Sequence, residues 1–359
     1  MRINIRYIIY NVLILTVISI LTSCSYVHEW PDTPSKVPFH LYLTYDTDMT
    51  LWEHTYDGTN VIEDNVDFTF NSYRDEGQIR YIVRAYPITK SSTNQHSAEF
   101  IFTQDIAQGY NFETIIELEP GNYNIMVWSD IIEEDGKKHY YDADNFNNIT
   151  LQDEEHQACT DYRDAFRGNI TISLKADVLD KELTTITIEM QRPLAKFEFI
   201  SDDLQEFIKK ETSRIHQETA NKTNTQSNNL GIDNYIITIH YVGFMPNSYS
   251  LFTDKPTDSA TGILFTSPIQ QLSKTEASLG FDYVFIKPQL SAITVQVVIT
   301  TNTGEVLSTS KPIQIPLKRD YHTIIRGKFL TSDTSGGVNG YTGSYQHPPS
   351  RMENQYSCR

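Results

Sequence analysis

The chain has 359 residues, with 29 Lys and Arg against 46 Asp and Glu, for a net charge of −17. A chain this acidic lacks the basic footprint that nucleic-acid phosphates require, and it gains nothing from electrostatic attraction to anionic lipid. With 22 Tyr and 17 Phe, its composition favours strands.

Arg2 and Arg6 open the chain, an apolar run fills residues 7–20, and Leu21-Thr22-Ser23-Cys24 closes the segment. That order is a positive n-region, an apolar h-region and small residues before a cleavage point, which describes an export signal over 1–23. The apolar run falls short of the roughly 20 residues that a transmembrane helix needs. Cys directly after Leu-Thr-Ser resembles a bacterial lipobox. Cutting between Ser23 and Cys24, with acylation of the Cys24 thiol and of the new amine, then leaves several acyl chains on one residue. Several chains anchor stably where a single one does not. Loss of 1–23 takes Arg2 and Arg6 and no acidic residue, so 29 bases become 27 and the net charge moves from −17 to −19. Residues 24–38, with Pro31, Pro34 and Pro38, read as a lipid-attached tether, because Pro removes donors and fixes φ.

From Phe39 the apolar period is two. Phe39, Leu41, Leu43 and Tyr45 share one face of an expected strand, and residues 79–86 alternate likewise. Phe112, Thr114, Ile116 and Leu118 alternate with acidic positions. Pro120-Gly121-Asn122 then turns the chain into residues 123–128, the signature of a hairpin. Asp135-Gly136 marks another turn before 137–141, and strands are expected at 170–174 and 185–190. Many short strands with turn signals between them predict a β-sandwich over 39–191.

Gln191-Arg192-Pro193 breaks the pattern, and a strand over 195–199 follows. Ser201-Asp202-Asp203 reads as a helix N-cap with acidic residues in the first turn. Leu204, Phe207, Ile208, Glu211 and Ile215 give an amphipathic helix, and the polar stretch 217–231 reads as a loop. Strands resume at 235–242, 283–286, 292–300 and 306–315, the last two joined through Asn302-Thr303-Gly304, and a final strand spans 321–330. A second sandwich is therefore expected over 192–332, and residues 333–359, rich in Ser, Gly, Tyr and Pro, read as a flexible tail. The predicted fold is all-β: two tandem sandwich domains with a short helix early in the second.

Motifs for chemistry are scarce. No His-Glu-x-x-His, Gly-x-Ser-x-Gly or phosphate-cradling loop is present. His156 sits three residues before Cys159, but one such pair cannot fill a four-coordinate zinc site. With Cys24 taken by lipid, Cys159 and Cys358 remain, and their pairing stays open. Asp142-Ala-Asp144-Asn145 is similar to the start of a calcium loop, but Phe146 stands at a ligand position and Asp153, not Glu, closes it. Trp128 alternates with Met126 and Asn124, as a half-buried sheet residue does. Asp258-Ser259-Ala260 matches a short O-glycosylation sequon of Bacteroidetes, making Ser259 a candidate modification site. No cofactor or metal is expected, and no enzyme.

Several segments together resemble the FimB-like fimbrial anchor and accessory lipoproteins of Bacteroidetes. They are Val27-His-Glu-Trp-Pro31, Arg80-Tyr-Ile-Val83, Tyr123-Asn-Ile-Met-Val-Trp-Ser-Asp130, Tyr162-Arg-Asp-Ala-Phe-Arg-Gly168, Arg192-Pro-Leu-Ala-Lys-Phe-Glu-Phe199, Ile315-Pro-Leu-Lys-Arg319 and Thr323-Ile-Ile-Arg-Gly-Lys-Phe-Leu330. The resemblance implies transthyretin-like Greek-key sandwiches and a lipid-anchored subunit at the outer membrane and cell surface. It implies fimbrial pilins as partners, joined by strand addition. The tail departs from the pattern: Gly336-Gly-Val-Asn-Gly340 lacks alternation and His347-Pro348-Pro349 would interrupt a ladder, which argues against 333–359 as a donor strand. A surface glycan-binding β-sandwich lipoprotein is the alternative, and a lipidated hydrolase a second one. Carboxylate pairs of a hydrolase assemble across distant segments and leave no local motif.

Overall fold

The computed structural model describes residues 36–71, 77–88, 95–133, 139–152, 156–175, 183–220 and 231–332. The expected signal segment, Cys24 and the expected tail after 332 lie outside them. The first half carries β1 (Val37–Tyr45), β2 (Asp48–Tyr56), β3 (Val61–Asn71), β4 (Gln78–Pro87), β5 (Ala98–Asp105) and β6 (Phe112–Leu118). It continues with β7 (Gly121–Ile132), β8 (Tyr141–Asp142), β9 (Ile149–Leu151), β10 (Ala165–Leu174) and β11 (Thr185–Met190). The second half opens with β12 (Leu194–Ser201), the helix α1 (Leu204–Ala220), β13 (Tyr235–Tyr241), β14 (Phe244–Pro246), β15 (Ser248–Ser250), β16 (Lys255–Pro256), β17 (Ser259–Thr261) and β18 (Leu264–Pro268). It closes with β19 (Gln270–Gln271), β20 (Ala277–Phe285), β21 (Ser291–Thr301), β22 (Val306–Thr309), β23 (Ile313–Leu317) and β24 (Tyr321–Gly327).

The first sandwich packs a sheet ordered β11-β1-β6 on one ordered β10-β7-β4-β5. Alternation puts Phe39, Leu41 and Leu43 of β1 against Tyr81, Val83, Ile125 and Val127 in one core. The second packs β19-β20-β12-β24-β2-β3 on β18-β13-β21, with β22 and β23 both paired to β21. Its core joins Phe197, Phe199, Ile237, Ile239, Val295, Val297 and Ile325. Helix α1 closes this core with Leu204 and Phe207, three residues apart on one face. The architecture is all-β with this helix early in the second sandwich, as the periodicity predicts.

Four expectations change in the structure. Residues 112–128 do not form a hairpin: β6 pairs with β1, whereas β7 pairs with β4 and β10. Pro120-Gly121 reverses the chain across the core, from one sheet to the other, so that Ile116 and Leu118 share a core with Ile125 and Val127. A turn signal fixes the reversal but not the plane in which it occurs. Second, residues 48–71, inside the span expected for the first sandwich, hydrogen-bond into the second. β2 lies parallel to β24, with Thr50 opposite Tyr321 and Tyr56 opposite Gly327, and β3 forms the sheet edge beyond it. Third, the strand expected over 306–315 is two, β22 and β23, because Pro312 between them supplies no ladder donor. Fourth, β1 begins at Val37, inside the expected tether. Pro38 is tolerated there because it stands at the start of a strand.

The cap signal at 201–203 also does different work. The Asp203 carboxylate accepts the backbone N–H and hydroxyl of Thr331 at 2.8 and 2.6 Å, and Ser201 Oγ accepts the N–H of Phe329 at 3.0 Å. These bonds tie residues 329–331 to the head of α1, and helix α1 itself runs on to Ala220.

A third apolar cluster lies between the sandwiches. Trp128 on the outer face of β7 meets Tyr141 and Phe285, with ring centroids 5.3 and 6.5 Å away, and Tyr249 stacks on Phe285 at 5.5 Å. β15 also pairs with β9, so backbone hydrogen bonds cross the junction.

Candidate functional site

The two lateral sides of the first sandwich differ. On one, Arg167 and Gln191 exchange backbone hydrogen bonds of 2.8 Å each, closing β10 onto the end of β11. Gly168 makes this approach possible: a Cβ there would lie 2.5 Å from Ile188 Cγ2 and 2.7 Å from Met190 Sδ. Outside the closure, Arg167, Asn169, Thr187 and Glu189 line a shallow polar groove.

The other side is open. Among the described residues β5 pairs with β4 alone and β6 with β1 alone. Each therefore presents an unpaired row of N–H and C=O groups, the feature that templates another strand. Between the two edges stand half-buried aromatics. Phe100 and Phe102 of β5 stack with centroids 6.5 Å apart, Phe102 lies 5.3 Å from Phe112 of β6, and Phe112 stacks on the buried Tyr81 at 4.4 Å. The next residues on the outer faces, Ile101 and Ile115, are 57% and 59% exposed. One end of the seam is fixed by the 3-10 turn Ile106–Gln108, where the Gln104 side-chain amide donates to the carbonyls of Gly109 at 2.7 Å and Asn111 at 3.1 Å. Burial raises the Tyr81 phenol above its ordinary range, so its O–H stays a donor, to Tyr110 O at 3.2 Å. The outer rim of β6 is acidic, with Glu113 and Glu117 exposed.

Three edges of the second sandwich suit pairing less. β19 has two residues, β18 ends in Pro268, and β3 exposes Glu63 and Asp64 along its described part. Short edges, Pro and charge are the devices that blunt an edge.

The residues that carry the family resemblance lie mostly in the frame behind this seam. Arg163, 1% exposed, pairs with the fully buried Asp282 and donates to Gln157 O at 3.0 Å and Tyr283 O at 3.1 Å. His156 Nε2, the Tyr241 hydroxyl and the Tyr283 N–H also reach Asp282, at 2.5, 2.6 and 2.7 Å. Burial alone would raise the Asp282 carboxyl, but Arg163 and His156 outweigh it and hold it below the usual carboxylate range. Arg192, fully buried, reaches Asp164 at 2.9 Å and the carbonyls of Thr47 and Asp48 at 2.7 and 3.1 Å. Arg80 clasps Asp130 through two nitrogens. These guanidiniums lock strand to strand and sandwich to sandwich.

Ser23, Cys24 and Cys358 lie outside the described residues. Ser259 opens β17 on the surface, its N–H accepted by Asp258 Oδ1 at 2.7 Å. Trp128 is wholly buried and offers no platform to a sugar. Asp142 and Asn145 accept local backbone N–H groups in turns. Cys159 sits half-buried in a left-handed conformation with φ of 58°. No cluster of three metal-ligating side chains occurs among the described residues. The seam itself is absent from the sequence reading. Its signal was Phe100-Ile101-Phe102, an apolar run too short to separate a two-sided strand from noise.

Three solved structures illustrate the overall likeness. The fimbrial anchor protein Mfa2 of Porphyromonas gingivalis is 15% identical over 76% of this chain and 82% of its own, with a TM-score of 0.38. The tip fimbrial protein Mfa3 of the same organism is 10% identical over 80% and 94%, with a TM-score of 0.36. A fimbrial assembly protein of Parabacteroides distasonis is 9% identical over 83% and 94%, with a TM-score of 0.33. No curated protein matches the sequence significantly. A family model described as a family of unknown function, DUF6562, matches residues 35–353, and the chain belongs to that family.

Proposed function

We propose that this protein is a non-enzymatic, lipid-anchored accessory subunit of a fimbria, held at the outer membrane through Cys24 and joined to a pilin by strand addition. The observation that carries the reading is the open β5/β6 seam, two unpaired edges with Phe100, Phe102 and Phe112 half-buried between them. An extended pilin segment laid on either edge gains a ladder of main-chain hydrogen bonds, and its alternate apolar side chains cover the aromatic row. The acidic rim at Glu113 and Glu117 favours basic or neutral residues at the outward positions of that segment. The lipobox and the family-like segments support the same role from the sequence.

Two experiments test it. Cys24→Ala should move the protein from the membrane fraction to the soluble one; a variant that stays with the membrane defeats the anchoring. Thr114→Lys, which points a charge into the mouth of the seam, should abolish co-purification of a pilin partner while the thermal midpoint holds. Undiminished capture would place the joint elsewhere. Ser259 stays a candidate O-glycosylation site, exposed at the start of β17.

A further inference from the structure

A subunit that joins a membrane to a filament has to carry tension, and the strand order shows where that tension enters. Whatever part of the body grips the partner, a pull from Cys24 reaches the described fold at β1. Terminal strands are commonly edges, but β1 is interior. It lies parallel to β11 through six residue pairs, from His40 opposite Thr185 to Tyr45 opposite Met190. It lies antiparallel to β6 through seven, from Val37 opposite Leu118 to Leu43 opposite Phe112. Its inward side chains Phe39, Leu41 and Leu43 are wholly buried.

We infer that β1 is a mechanical clamp, a strand built to hold the tether against tension between the membrane and a filament. The inference rests on the anchored reading above. A pull on Val37 along the strand axis shears both ladders, so bonds on the two sides resist together. An edge strand such as β5 offers one ladder. A second catch stands behind the first. Only Asp46 and Thr47 link β1 to β2, and the buried Arg192 grips the carbonyls of Thr47 and Asp48 while Asp164 fixes its guanidinium. Beyond that grip, β2 lies parallel to β24, which is itself bonded on its other side to β12. If β1 slips, the load passes to β2, again a strand held from both sides.

The test is mechanical and independent of lipid. Residues 24–359 are held in optical tweezers by peptide tags at the two chain ends. For comparison, the same chain with Cys24, Cys159 and Cys358 replaced by Ser is held at Thr103→Cys on edge strand β5 and at its C-terminal tag. With two ladders loaded in place of one, the first rupture should need about twofold more force from the N-terminal attachment. A second variant, Tyr42→Cys with Thr187→Cys, joins directly opposed positions of β1 and β11. When oxidised it should lose the first lengthening step seen in the reduced form, and the reduced form is its own folding control. A rupture force no higher than that of the edge attachment overturns the inference. So does an identical first step in the oxidised and reduced forms. If Cys24→Ala fails to release the protein from membranes, the anchoring is lost while the force comparison keeps its meaning.

Discussion

Replacing Arg163 by Met removes the guanidinium that, among the described residues, faces Asp282, and keeps most of the side-chain volume. Asp282 is 0% exposed and would retain His156, the Tyr241 hydroxyl and the Tyr283 N–H, which lies 2.7 Å away. Breaking one partner out of a buried pair costs about 3–5 kcal/mol. That is a large share of the ~5–15 kcal/mol that holds a folded domain together. Urea unfolding followed by Trp fluorescence at pH 7 reads the loss. Its pH dependence is the sharper part of the test. In the wild type, burial pushes the Asp282 carboxyl up but Arg163 and His156 bring it below the ordinary value. Without Arg163, burial dominates and the folded-state pKa rises above the unfolded one. The penalty is then complete above the raised pKa and shrinks as pH falls through it, because the folded variant takes up the proton that relieves it. The gap to wild type should therefore narrow as pH is lowered from 7, and Asp282→Asn added to Arg163→Met should recover part of the loss. A loss below about 1 kcal/mol at pH 7, or one that does not change with pH, refutes the argument.

Three further outcomes are expected. His322 on β24 has Nε2 3.0 Å from Glu198, yet burial, aided by Lys196, lowers its pKa below the ordinary histidine value. Its folded-state pKa thus lies below the unfolded one, so stability present above pH ~6.5 is lost as pH falls through the folded value. The urea midpoint should drop from pH 7.5 to pH 5.5, and His322→Gln should flatten that slope; an unchanged slope contradicts it. Gly168→Ala forces a methyl against Ile188 and Met190 and should cost about 1–3 kcal/mol in urea unfolding, whereas a neutral result would mean that β10 and β11 can separate freely. Expressed alone, residues 192–332 should fail to give a dispersed NMR spectrum, because β24 loses its partner β2 and the sheet gains an unpaired edge. A folded fragment would show that β2 and β3 are dispensable.

Sequence legibility followed the strength of alternation. Residues 185–190 and 235–242 were readable nearly to the residue, since each alternates apolar and polar side chains against a single core. Helix α1 was readable from Leu204, Phe207 and Glu211, which share one face. Strands β2 and β3 gave no expectation at all: Trp52, Glu53, His54 and the acidic Glu63 and Asp64 break the apolar stripe, and a sheet edge needs only one buried face. Strand β20 extends well before residue 283 because its nine residues are buried throughout, and uniform burial erases the two-residue period. Partner choice was beyond the sequence for a different reason. Pro120-Gly121 signals reversal, but whether β6 meets β7 in the same sheet or across the core depends on β1, some 80 residues earlier, which occupies the place beside β6. The seam suffered the same limit, since an open edge is defined by what fails to pair with it.

The pairing of β2 with β24 has a consequence for how the chain acquires its structure. Glu53 and Arg326 meet in that sheet although 273 residues separate them. β2 and β3 can pair with each other early, but the opposite edge of β2 has no partner until β24 is made. Contacts this far apart in sequence slow folding, and waiting strands are open to wrong neighbours. A chain truncated before Tyr321 leaves that edge of β2 open and should bind chaperones rather than reach a half-finished native state.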